Sequence, residues 1–482
     1  MTMFARRSPV LAVIGSLAAL AVGANARALA AQSPAEGAQK QLELAEARAR
    51  DGRFGDARAV YERLAAKFPE TPAGREAAER AKPSAFLGWS DVVRHGPSSN
   101  RIDVVLMADG YELGHMDAFV DLAADVPELF ARQATLREYF SYFNFLRADL
   151  VSADSGVDGF GRDYDTALGA RTLGTIAGHV GIDAKLVFGA LAKVPDSERL
   201  AIVFVKNGVL GTGGGGIATI GGREVRTIVH EFGHAFGGLS DEYDTQTRPV
   251  ANDARDGINV SASDDEKKVP WAHWLAAKHP GVGIYEGALG RARGAWRPTS
   301  TGCVMANDER FCVVCREALV LAIYARVDPI ESELPPAAQA DAHDYLKLER
   351  EPITLSVEVL KPASHPLEVK WWVLPDELPS EGSKAPQGRP APKPGAKSGD
   401  RTRRGKLPTI TATPRSTVNG NSSGTHKFVV SRKDLEPGRY RVVCRVKDTT
   451  ELRGEKFPWV LKDERGLLES ERVWWIEVTG SR

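Results

Sequence analysis

The sequence predicts an α+β protein, and three patterns predict it. From about Phe86 to Pro329, apolar strand-like runs alternate with helical periodicity, which places helices on a mixed sheet. From about Ile353 the hydrophobic period becomes two, as in a small β-sandwich, immunoglobulin-like in outline. Ahead of both, residues 33–82 are rich in Ala, Glu and Arg, the composition of short helices. A chain of 482 residues holds two to four such units. The expected division is a leader over 1–30, a helical segment over 33–82, a main unit over 86–330 and a sandwich over 350–480. Basic and acidic residues balance at 63 each, so nothing in the charge points to a nucleic-acid partner.

The leader opens with Arg6 and Arg7, followed by an apolar run from about Pro9 to Val22 and then small residues. Ala24-Asn25-Ala26 and Ala28-Leu29-Ala30 both fit the small-x-small pattern of a signal cleavage site. The run is shorter than the roughly 20 apolar residues of a spanning helix. No cysteine follows it for a lipid anchor, and no second long apolar run appears. The expectation is an exported protein, periplasmic or secreted, with no stable membrane insertion after signal cleavage.

In the helical segment, Gly52, Ala57, Tyr61, Leu64 and Pro69 fall where a tetratricopeptide repeat puts its small, aromatic and helix-ending residues. One repeat cannot bury its own face, so it docks on the main unit or on a partner. A plain helical linker is the other reading. In the main unit, strands are expected from Arg101 to a turn at Asp109-Gly110, up to Ser152, and from Leu200 to Asn207. Helices are expected over the stretch HMDAFVDLAADVPELFAR and near Asp183–Lys193. The run GTGGGGIATIGG lacks a phosphate-binding pattern. Its Ile217-Ala218-Thr219-Ile220 reads as a short edge strand that could hold an extended peptide, or as a plain loop.

The stretch from Thr227 to Tyr243 then carries the chemistry. His230 and His234, four apart, share one face of a helix, and two imidazoles there can grip one zinc ion. Glu231 flanks that metal without ligating it, where a general base must stand to deprotonate water. Val225, Ile228, Val229, Phe232 and Phe236 supply the apolar contacts of a buried helix. Gly237-Gly238 breaks the helix and lets the chain swing back to offer a third ligand, with Asp241 and Glu242 in reach. Residues 245–300 look irregular; Trp271, Trp274, Tyr285 and Trp296 read as packing under loops, with pocket lining as the sharper alternative. Met305 sits in a tight turn, and a helix over Cys315–Val327 stops before Pro329.

The tail reads as five strands, ITLSVEVL, LEVKWWVL, HKFVVS, YRVVCRVKD and VWWIEVTG, with a Pro-, Gly- and Lys-rich insertion over 378–407 expected to be disordered. The insertion's basic run is a solvated loop or a contact with anionic cell-surface material. Of the four cysteines, Cys303, Cys312 and Cys315 crowd together. One disulfide within that group is expected, since no nearby histidine or fourth cysteine completes a zinc site. Cys444, in a strand pattern, reads as a buried free thiol.

The stretch HEFGHAFGGLSDEY resembles the signature of the bacterial IgA-type metallopeptidases, metzincin-like zinc peptidases. The similarity extends through SSNRIDVVLMADGY, VPWAHW, IYEGA, WRPTSTGCVM and FCVVCREAL, in blocks from roughly Trp89 to Val327. The resemblance implies a zincin-like domain with His230 and His234 as zinc ligands, Glu231 as catalytic base and Met305 in the Met-turn. Metzincins usually place the third ligand three residues after the glycine matching Gly237. That position is Ser240, a poor ligand, so Asp241 is taken as third ligand with Glu242 as runner-up. The expected function is a zinc-dependent endopeptidase acting on a protein or peptide substrate, with Tyr243 or Tyr285 as a further donor. No residue pattern selects immunoglobulin A. A zinc amidohydrolase acting on cell-wall peptides, or a non-catalytic surface-binding protein contacting cells through its tail, are the alternatives.

Overall fold

A computed structural model describes residues 33–173, 178–221, 225–245, 255–337, 345–376, 405–419 and 424–479. The expected leader lies outside these residues, as does the expected insertion except for its last three positions. Three helices come first: α1 (Pro34–Arg50), α2 (Phe54–Lys67) and α3 (Pro72–Arg80). Ser33 and Glu36 form a reciprocal capping box at the start of α1, and Thr71 caps α3, each ahead of a proline at the first helical position. The starts of α1 and α3 are thus fixed by side-chain caps, and the bundle's apolar face docks on the main sheet. Leu42, Val60 and Leu64 join a core that includes Leu87, and the Tyr61 hydroxyl donates to the Leu87 carbonyl at 2.7 Å.

The middle of the chain runs β1 (Ala85–Val93), β2 (Ile102–Asp109), α4 (Met116–Arg132), α5 (Ala134–Glu138) and β3 (Phe143–Val151). A short pair, β4 (Arg171–Thr172) and β5 (Val180–Gly181), leads to α6 (Ala184–Leu191). Next come β6 (Ala201–Val205), β7 (Thr212–Gly214), β8 (Ile217–Gly221) and α7 (Val225–Gly237). Six of these strands form one sheet in the order β1-β3-β2-β6-β8-β7. Its four central strands are parallel and both edges antiparallel. The parallel strands are buried along their length, as strands covered on both faces must be. One departure from the sequence reading matters for the site. Ile217–Ile220 is not the edge: β8 pairs with β6 on one side and β7 on the other, so the glycine-rich Thr212–Gly214 is the edge strand.

The segment after α7 is less irregular than expected. It contains α8 (Ala272–Ala276) and a hairpin of β9 (Tyr285–Ala288) and β10 (Arg291–Arg297). Trp271 and Trp274 are fully buried, and their indole N–H groups donate to the Gly283 carbonyl and the Glu317 carboxylate, so these two are packing residues. Helix α9 (Val313–Tyr324) closes this part.

The remainder is β11 (Ile330–Leu334), β12 (Leu346–Leu348), β13 (Ile353–Val359), β14 (Glu368–Pro375), β15 (Ser416–Asn419), β16 (Thr425–Val430), β17 (Gly438–Lys447) and β18 (Glu469–Val478). They make a three-stranded and a five-stranded sheet whose apolar faces share one core around Trp371 and Trp474. This tail is bolted to the middle unit. His365 bridges Glu138 and Asp448 at 2.7 Å each, and Asp448 also accepts from the hydroxyls of Tyr139 and Tyr324. Among the described residues no helix is long and apolar enough to cross a membrane.

Candidate metal centre

Helix α7 follows the inner strand β8, and its polar face looks into a cleft of about 420 Å³ under the edge strand β7. Gly238, at φ +64°, ends it in the left-handed region that favours glycine. The turn carries the Leu239 carbonyl back to His234, whose Nδ1 lies 2.6 Å from it. His230 Nδ1 lies 3.0 Å from the Val304 carbonyl. A carbonyl only accepts, so each Nδ1 carries the proton and each Nε2 presents its lone pair to the cleft.

Those two Nε2 atoms stand 3.1 Å apart, and Asp241 Oδ1 stands 3.1 Å from both. Three acceptors converging on one point repel each other unless a proton or a cation sits among them. Donors about 2.0–2.1 Å from a tetrahedral metal stand about 3.3 Å apart, close to the spacing here. The donor set, two imidazoles and one carboxylate with an open side, fits zinc. Burial works against the charged form of Asp241, but with no cation in place protons on the two Nε2 atoms meet its carboxylate and hold that carboxyl below the usual range, the same charge balance that a bound cation would supply. Burial also works against a charged His230, but Asp241, the Val304 carbonyl and Glu231 together outweigh it and raise that pKa.

Glu231 is buried, lines the same cleft and stays out of the ligand cluster. Burial raises its pKa, against the pull of the two histidines, which moves a carboxylate towards the range of a general base. The close fit of β7 depends on glycine. A Cβ on Gly213 would collide with the Glu231 carbonyl oxygen and stand 2.7 Å from the Cβ of His234. These glycines let the edge strand lie directly on α7.

The structure brings His230, Glu231, His234 and Asp241 together. Tyr243 joins them, stacked on His230 with ring centroids 6.0 Å apart, whereas Tyr285 lies outside the residues lining the cleft. Met305 is buried beneath the helix; a Cβ on Gly233 would meet its Sδ at 2.9 Å. Its carbonyl accepts from the Glu242 N–H at 2.7 Å. His179 and Thr212 also line the cleft, and neither is reachable by motif.

Two expectations are corrected here. Glu242, the runner-up ligand, turns away from the histidines into a fully buried pocket, where its Oε1 accepts from Asn259 at 2.8 Å. Burial there pushes its carboxyl up to about 8. The expected disulfide among Cys303, Cys312 and Cys315 is not formed: all four cysteines of the chain are free thiols. The three sulfurs face Glu242 instead of pairing, and Cys303 Sγ stands 3.7 Å from Cys315 Sγ, against about 2.05 Å in a disulfide. Cys444 is a buried free thiol as expected.

A mixed α+β unit with a histidine-carboxylate cleft beside a sheet edge is the setting of a peptidase site. The family described as IgA peptidase M64 matches residues 91–281, the stretch that carries all four central site residues. The resemblance read from the sequence therefore stands, and it supports a peptidase. No curated protein matches the chain.

Proposed function

We propose that the chain is an exported zinc endopeptidase with a metzincin-like catalytic unit, a tetratricopeptide-like unit over 33–82 and an immunoglobulin-like tail. The observation that carries the reading is the convergence of His230 Nε2, His234 Nε2 and Asp241 Oδ1 at 3.1 Å, with Glu231 beside them but outside the cluster. His230, His234 and Asp241 would hold the zinc. A bound zinc ion supplies a Lewis acid that polarises a carbonyl and makes water acidic enough to react near neutral pH.

The rest is done by the chain itself. Glu231 takes the proton of the attacking water and returns it to the leaving amine, a role that its raised pKa suits. The Nδ1 bonds to Val304 and Leu239 hold both imidazoles in the tautomer that leaves Nε2 free. The edge strand β7 offers backbone groups beside the cleft, where an extended peptide can add as a further strand. Tyr243, stacked on His230 at the rim, is the nearer of the two tyrosines for a donor to the developing oxyanion.

The test pairs the chain with its Glu231→Gln variant, both assayed on unfolded casein with zinc quantified. Equal zinc, with cleavage in the parent at least about 10²-fold above the variant and stopped by a chelator, is expected. Cleavage undiminished in Glu231→Gln would overturn the assignment of the base. Absence of zinc from the cleft would overturn the reading as a whole.

A further inference from the structure

The group Glu242, Cys303, Cys312 and Cys315 is fully or almost fully buried, and one ligand atom from each lies within 4.8 Å of every other. The pattern of contacts is that of ligands around a common centre. Cys303 Sγ and Cys315 Sγ are 3.7 Å apart, and Glu242 Oε1 is 2.9 Å from Cys315 Sγ and 3.7 Å from Cys312 Sγ. Thiolates about 2.3 Å from a tetrahedral zinc ion stand about 3.8 Å from one another, and a carboxylate oxygen about 3.5 Å from each sulfur, which the two 3.7 Å separations match; the shorter Glu242–Cys315 contact is that of a thiol donating to the carboxylate.

Three further features fit. Cys312 and Cys315 have the two-residue spacing of a metal knuckle, at the start of α9. The Cys312 backbone N–H points at Cys303 Sγ at 3.4 Å, a bond that a thiolate accepts well. Glu242 Oε2 is buried with no hydrogen-bond partner among the described residues, an arrangement that costs free energy unless something else meets the carboxylate.

We propose that these four side chains are a second metal site, a closed structural zinc site of three thiolates and one carboxylate. Soft sulfur ligands in a tetrahedral set select zinc over magnesium or calcium. The site ties together three separate stretches that bear on the cleft. Glu242 follows Asp241 directly; Cys303 precedes Val304, whose carbonyl holds His230; Cys312 and Cys315 begin α9. Asn259 adds a clamp from the side, donating to both the Ser240 carbonyl and Glu242. The buried zinc would therefore hold the loop that presents Asp241. The inference goes beyond the peptidase reading and does not depend on it.

The test is zinc stoichiometry in the full chain purified with thiols kept reduced, alongside two double variants. The parent is expected to hold two zinc ions per chain. His230→Ala/His234→Ala and Cys312→Ser/Cys315→Ser are each expected to hold one. Should the cysteine variant fail to fold, cobalt substitution of the histidine variant decides. A strong thiolate-to-cobalt charge-transfer band is expected, and a spectrum without it overturns the proposal. One zinc in the parent that the histidine variant loses overturns the second site and leaves the peptidase reading standing. One zinc that the histidine variant keeps does the reverse. A disulfide found within the cysteine cluster by non-reducing peptide mapping of the parent also overturns the proposal.

Discussion

Asp241 and Glu242 are neighbours in sequence and end in opposite environments. The first leans into a cleft, partly exposed, against two imidazoles. The second is sealed among three sulfurs and an asparagine. Metal sites divide along this line: those that do chemistry keep one side open for water and substrate, and those that hold a fold close all four positions with protein. The contrast teaches that exposure, more than ligand count, separates the two clusters, the open one fitting the proposed chemistry and the closed one the proposed structural zinc, and that one peptide unit joins them.

The sharpest way to break the comparison is to remove the two carboxylates one at a time. Asp241→Ala is expected to lose zinc from the cleft and activity by roughly 10²–10⁴-fold, with little change in melting temperature. Glu242→Ala is expected to do the opposite in stability. Losing a ligand of a buried site costs about 3 kcal/mol or more, which is roughly 6–12 °C for a unit of this size. Its activity falls only as far as the Asp241 loop loosens. Thermal melts, zinc counts and casein turnover on the same preparations check both. If the two variants melted alike, the division between an open and a closed cluster would be wrong.

A third polar cluster sharpens the same point, because it is sealed like the Glu242 pocket and sits at the joint with the tail. His365 lies between Glu138 and Asp448. Burial opposes its charge, but the two carboxylates prevail and lift its pKa to about 9 from 6.5. The sign follows from the proton balance. Below pH 6.5 both folded and unfolded chains hold the proton, and the contribution is complete; it is lost as pH rises towards 9. Glu138 acts in the opposite sense. Burial resists its ionisation, yet bonds from His365 and Ser364 lower its pKa, so its contribution is present above the ordinary carboxylate range and lost as pH falls. Stability is therefore expected to decline by a few kcal/mol between about pH 6.5 and 9. His365→Gln should flatten that slope in melts taken across the range.

How far the sequence could be read follows from how local each signal is. Strands β2, β3 and β6 and helix α4 were legible because periodicity is a property of consecutive residues. So were His230, Glu231 and His234, one helical turn apart, and Asp241, chosen because serine is a poor zinc ligand. The Glu242 cluster was not legible as one group. Its cysteines are near each other in sequence, but the fourth member lies next to Asp241, and only the fold brings them together. The two-residue spacing of Cys312 and Cys315 is the local signal, but no nearby histidine or fourth cysteine completes a site within that segment, which is why a disulfide is the expectation there. The edge role of β7 was missed for a related reason. Three residues, two of them glycine, carry no strand periodicity, and their place is set by pairing with β8.

The smallest effect tests whether that edge strand belongs to the open cluster. Gly213 lies against α7 so closely that a methyl group would strike the Glu231 carbonyl and crowd His234, at 2.7 Å from its Cβ. Both obstacles belong to the helix and not to a flexible tip, so β7 itself must move. Gly213→Ala is expected to cost about 1–3 kcal/mol and to lower casein turnover by more than its melting shift explains, because base and ligand shift with the strand. Gly37→Ala is the control. It lies in α1 with nothing within 4 Å of the added methyl group, and should be neutral or slightly stabilising. Zinc in the Glu242 cluster should be unchanged in both. An effect of Gly213→Ala confined to melting temperature would place β7 with the architecture and leave the cleft without its peptide-binding edge.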